Sequence, residues 1–165
     1  MEFTLKPLHV QAVPRALDKA ERYRLLNEPR EAESICRDCL DADPGNQTAL
    51  TTLALALSDQ FADGHLSAAK EAELTVAKLS DPYQRAYYGG LIAERKAKAQ
   101  QRRGVPGFYV YEALRAAMTL FETAEKLAPP DNDDAVLRWN TCARIVMANP
   151  EIAPEDRDSG GMFLE

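Results

Sequence analysis

The chain has 165 residues, 45% of them hydrophobic and 28% charged, with a net charge of −6. That is enough apolar material for one core without disulfides or metals, and the acidic balance speaks against a general nucleic-acid or anionic-membrane binder, which concentrates Lys and Arg on one face. No window approaches the ~20 apolar residues of a membrane span, Met1 to Pro7 lacks a leader pattern, and three cysteines read as reduced thiols, so a soluble, cytoplasmic protein is expected.

Strong helix formers dominate, and Pro, Gly and Asp punctuation predicts seven helical segments near 14–27, 29–42, 46–59, 65–80, 82–102, 108–128 and 132–148. Pro14, Pro29 and Pro82 suit a first helical turn, where the missing N–H costs nothing, and Asp81 precedes the last of them as an N-cap. Asp43-Pro44-Gly45-Asn46, Asp63-Gly64 and Pro129-Pro130-Asp131-Asn132 supply breaks. The β-favouring run Phe108-Tyr109-Val110-Tyr111 leads straight into a segment of helical spacing and is read as its start. Short connections between helices make neighbours antiparallel hairpins.

Segments two and six share a pattern. Ala32, Cys36, Cys39 and Pro44 in one match Ala117, Phe121, Ala124 and Pro129 in the other, which puts three residues on one helix face and a proline just past its end. A small residue admits the partner helix closely and the larger one a turn later fills the gap. This spacing resembles the second helix of the tetratricopeptide repeat, and Tyr23, nine residues before Ala32, sits where that family places an aromatic. Departures are Ala16, Lys19 and Ala20 in place of the family's tryptophan and Leu-Gly pair, and Lys70 where a small residue is expected. Extra residues also stand around 59–64 and 102–107.

The resemblance implies an all-α fold of hairpins stacked in a right-handed superhelix. Its pairs would lie near 14–44, 46–81 and 82–130, followed by a capping helix at 132–148 with Trp139, Ile145 and Val146 inward and Arg138, Asn140 and Arg144 outward. Residues 1–13 would be an extension and 149–165, rich in Pro, Glu, Asp and Gly, an unstructured tail. A generic helical bundle is the competing architecture. In the family, the first helix of each pair lines a concave groove for a peptide or helix. Carried over by phase, the groove is Leu17, Glu21 and Arg24, then Thr48, Thr51, Thr52 and Leu55, then Ala86, Gly90 and Ala93. It is small-sided and without the lysine/asparagine clamp that the family uses on terminal carboxylates.

Catalytic and metal patterns are not found in the sequence. Cys36-x-x-Cys39 occupies core positions of the repeat and has no second Cys/His pair, His9 and His65 stand apart, and Asp131–Asp134 lacks the glycine and glutamate of a calcium loop. No cofactor, metal or enzymatic activity is expected. Arg95, Lys96, Lys98, Arg102 and Arg103 crowd five cations into nine residues, read as a solvated helix end or a docking patch for an acidic peptide or nucleic acid. The expected role is protein binding as an adaptor or chaperone-like module. The alternatives are a structural subunit of an assembly and a nucleic-acid accessory factor working through Arg95–Arg103. The apolar tip Met162-Phe163-Leu164-Glu165 would allow self-association as a homodimer.

Overall fold

A computed structural model describes residues 1–65 and 67–155. Among the described residues the chain is all-α, with no strand. Its helices are α1 (Val13–Leu25), α2 (Pro29–Ala42), α3 (Gln47–Asp59), α4 (Ala68–Ala77), α5 (Pro82–Arg102), α6 (Gly107–Leu127) and α7 (Asp134–Ala148).

The punctuation acts where the sequence places it. Pro14, Pro29 and Pro82 lie in the first turns of α1, α2 and α5. Side-chain oxygens of Asn46 and Asp81 accept from the N–H groups of Ala49 and Tyr83, which satisfies donors the helix start leaves open. Asn27, at φ 60°, makes the left-handed turn between α1 and α2, a conformation asparagine tolerates better than most residues. Helix α4 is shorter than the expected 65–80. Its leading Ser67 makes no side-chain cap, and beyond Ala77 the Arg85 guanidinium serves the carbonyls of Leu79 and Ser80 at 2.6 and 2.9 Å. The stretch read as extra residues after α3 holds a short 3-10 turn, Phe61–Asp63, whose Phe61 is only 1% exposed.

Each helix packs on the next, and the odd-numbered helices also touch in succession, α1 on α3, α3 on α5 and α5 on α7. Two apolar clusters result. The first gathers α1 to α4 and takes Ile92 and Ala99 from α5; the second gathers α6 and α7 around Ala86, Leu91 and Ala97 of α5, and Tyr88 packs against both. Helix α5 is therefore the wall shared by two half-cores. Ala32, Cys36 and Cys39 of α2 and Ala117, Phe121 and Ala124 of α6 are all fully buried.

Two expectations at the C-terminal end are corrected. Arg138 does not point outward. It forks onto Glu94 of α5, because a carboxylate with no exposed surface requires opposite charge beside it. Residues 149–152 belong to the folded body, since Ile152 is buried in the second cluster and Glu151 packs its carbonyl against Gly107 at the start of α6. Trp139, Ile145 and Val146 pack inward as partly buried side chains, and Trp139 Nε1 donates to Glu122 of α6 at 2.9 Å. The tip Met162–Glu165 lies outside the described residues.

Candidate functional site

The odd-numbered helices share one face, and what reaches it follows from helical phase. Residues spaced three and four apart on a helix line one side, so Glu21 and Arg24 on α1 stand together, as do Thr48, Thr51, Leu55 and Asp59 on α3 and Gln84, Tyr88 and Arg95 on α5. At one end of this face a polar cleft of about 220 Å³ opens between α3 and α5, lined by Gln47, Thr48, Thr51, Thr52, Gln84 and Tyr88. Gln47 Oε1 in turn accepts from the backbone N–H and hydroxyl of Ser80, fixing the α4–α5 turn against the cleft.

At the other end the face is crossed by charges. Asp59, near the end of α3, accepts from Arg24 Nε of α1 at 2.8 Å and from Arg95 Nη1 of α5 at 2.6 Å. Arg24 Nη1 also pairs with Glu21, while Arg95 Nη1 donates to the Ser58 hydroxyl at 2.6 Å and approaches the Leu55 carbonyl at 3.3 Å. The two guanidiniums respond oppositely. Burial alone would lower Arg24, but the hydrogen bonds and charges of Asp59 and Glu21 outweigh it and raise its pKa. For Arg95 burial prevails over Asp59, and the neighbouring cations Arg24 and Arg138 add to the lowering. Burial likewise raises the Tyr88 phenol, which lies within the field of Arg24 and Glu21.

The residues expected in the groove divide into two sets. Glu21, Arg24, Thr48 and Thr51 reach the shared face, and Leu55 does so as a partly buried side chain that also packs against the second cluster. Leu17 and Thr52 are mostly buried at 7% exposure, though Thr52 still edges the cleft. Ala86 and the partly buried Ala93 pack in the second cluster, and Gly90 lies under the Phe121 ring, so these three serve the packing of α5 on its partners. The physical reason is phase: α5 turns its small residues toward α6, where close approach is needed, and its Gln84, Tyr88 and Arg95 toward α3.

The basic cluster is not a single patch. Arg95 pairs with Asp59 of α3, Lys96 pairs with Glu73 of α4 at 3.3 Å and Lys98 pairs with the buried Glu94, leaving Arg102 and Arg103 exposed at the end of α5. Asp59, Gln84 and Tyr88 were not among the groove residues expected from the sequence. For Gln84 and Tyr88 the signal was their turn-by-turn spacing with Arg95, which the two adjacent glycines of the same helix left ambiguous. Cys36, Cys39 and Cys142 are buried free thiols, and burial pushes Cys36 up to about 12, away from the thiolate that metal binding or exchange requires. Among the described residues no group of three or more His, Cys, Asp or Glu converges as a metal site, and no helix is long and apolar enough to cross a membrane.

No family model, curated protein or solved structure matches the chain.

Proposed function

We propose that the chain is a non-catalytic, tetratricopeptide-like binding module that captures an extended segment of another polypeptide along the face shared by α1, α3 and α5. The observation that carries this reading is the open cleft on that face, where the hydroxyls and amides of Thr48, Thr51, Gln47 and Gln84 stand beside Tyr88. Such groups satisfy the backbone N–H and C=O of a chain laid against them, and an aromatic with a polar tip adds contact area at low entropic cost. The repeat reading draws support from the full burial of the six signature residues in α2 and α6 and from the succession of odd-helix contacts. The nucleic-acid alternative loses three of its five cations to carboxylates, and a cytoplasmic adaptor remains the setting that the reduced thiols favour.

The test is selection of twelve-residue peptides from a random display library on the intact chain, followed by amide chemical-shift mapping of a selected peptide. Shifts centred on Thr48, Thr51, Leu55, Gln84 and Tyr88 are expected. Shifts confined to the outer surfaces of α2, α4 and α6 would remove the groove reading.

A further inference from the structure

Arg138 and Arg95 use their guanidiniums differently. Arg138 turns its side-on edge, Nε and Nη2, onto both oxygens of Glu94, the fork-to-fork geometry in which arginine binds a carboxylate best. Arg95 spends only Nη1, which serves Asp59, Ser58 and Leu55 together. Its Nε and Nη2 form no hydrogen bond among the described residues. They are not sealed in either, because the side chain keeps 30% of its surface and the buried unpartnered side-chain atoms there reduce to Gln100 Oε1. The same fork that α7 uses to hold Glu94 is thus held open on the groove face, fixed in orientation by three contacts at its other end.

We infer that this open edge of Arg95 is a receptor for an acidic side chain, an Asp or Glu within the captured polypeptide, an assignment that rests on the groove reading above. Charge selects a carboxylate over a phosphate: Arg24 and Arg95 are already balanced by Asp59 and Glu21, so a monoanion is accommodated while a dianion meets two fixed carboxylates. Continuity selects a side chain over a chain terminus, because Arg95 lies on the same face as the Gln84 and Thr48 cleft, along which the captured segment is laid. Gln84 and Arg95 are eleven residues apart on α5, roughly 16 Å along the helix, which about five residues of extended chain would span. The ligand is therefore a short extended segment whose backbone meets the cleft and whose acidic residue falls about five positions away.

The test uses the intact chain and peptides selected from the random library. Enrichment of Asp or Glu at one position is expected, with an approximately tenfold loss of affinity when that residue becomes its amide, the peptide termini being blocked in that comparison. Arg95→Gln should bind the acidic and amide peptides equally. Arg95→Lys, which keeps the charge beside Asp59 and guards against misfolding of the first variant, should retain only part of the preference, because lysine lacks the fork. Selected peptides that map to the groove but show no acidic position, or whose affinity falls on blocking the terminal carboxylate and not on the amide change, overturn the Arg95 site alone. Failure to enrich any peptide removes the groove reading with it.

Discussion

Two adjacent glycines in α5 give opposite predictions that separate packing from binding. A Cβ built on Gly90 would lie 2.6, 2.8 and 2.9 Å from three carbons of the Phe121 ring, whereas one on Gly89 would meet Leu120 at 3.6 Å and Val76 at 4.0 Å, ordinary contacts. The Phe121 ring is fully buried with its centroid 6.1 Å from that of Tyr87, so a shift of the ring disturbs core neighbours and not solvent. Overpacking of this kind costs about 1–3 kcal/mol, and Ala regains about 0.8–1 kcal/mol over Gly in a helix interior, leaving Gly90→Ala less stable by up to about 2 kcal/mol. Gly89→Ala gains the propensity without the clash and should be about 0.5–1 kcal/mol more stable. For a chain of this size each kcal/mol moves the melting temperature by about 2–4 °C, so thermal unfolding followed by circular dichroism resolves the two signs. Trimming the ring in the Gly90→Ala, Phe121→Leu double variant should recover part of the loss. If Gly90→Ala left the melt unchanged or raised it, while weakening the binding of a selected peptide, Gly90 would be a groove residue and the placement of α5 described above would fail.

Removing the Glu94 carboxylate as Glu94→Ala strands Arg138 and Lys98, but both keep about a third of their side-chain surface, 31% and 30%. The expected loss is therefore about 2–3 kcal/mol in a urea titration, below the ~3–5 of a fully buried pair, and an unchanged midpoint would refute the latch between α5 and α7. Gly107→Ala places a Cβ on the Glu151 carbonyl and should detach residues 149–152, seen as faster hydrogen exchange at the Ile152 amide, which otherwise donates to Asn149 at 2.9 Å. Burial pushes Cys36 up to about 12 and Cys142 up to about 11 from 9.0, so neither thiol should react with an aromatic disulfide reagent at pH 8 until the chain unfolds. The same shifts give a sign for alkaline stability. Raised thiols contribute fully below pH 9, where the unfolded thiols ionise, and that contribution is lost as pH rises toward about 11 and 12; a urea midpoint that stays flat from pH 8.5 to 10.5 would contradict it.

Helix count and most helix ends were legible because they depend on local chemistry: prolines that fit a first turn, Asn46 and Asp81 as caps, and polar breaks between. The inward face of α2 and of α6 was legible for the same reason, since Ala32, Cys36 and Cys39 repeat the spacing of Ala117, Phe121 and Ala124. The face of α5 was not. That helix packs on α3, α6 and α7 together, so apolar residues lie on most of its circumference and periodicity cannot say which side is left open. Nor could the sequence reveal that Asp59, 35 residues from Arg24 and 36 from Arg95, stands between them; long-range ion pairs carry no local pattern. The apparent density of cations at 95–103 misled for the same reason, because their partners Asp59, Glu73 and Glu94 come from three different helices.

Every junction between successive odd-numbered helices is tied by an arginine and a carboxylate: α1 to α3 by Arg24 and Asp59, α3 to α5 by Arg95 and Asp59, α5 to α7 by Arg138 and Glu94. The two pairs at Asp59, partly exposed on both sides, add little net stability, commonly about 0–1 kcal/mol, and the two apolar clusters hold the helices together without them. What the pairs do fix is axial register. Apolar side chains tolerate a slide of one helix along another, whereas a guanidinium seated between two named oxygens does not. Because the shared face is composed of residues from α1, α3 and α5, its cleft exists only in one relative register of those helices, and Asp59 sets that register from both sides at once. An Asp59→Asn chain should accordingly melt close to the parent yet bind a selected peptide several-fold more weakly. A parallel fall in both would mean that the ladder serves stability alone.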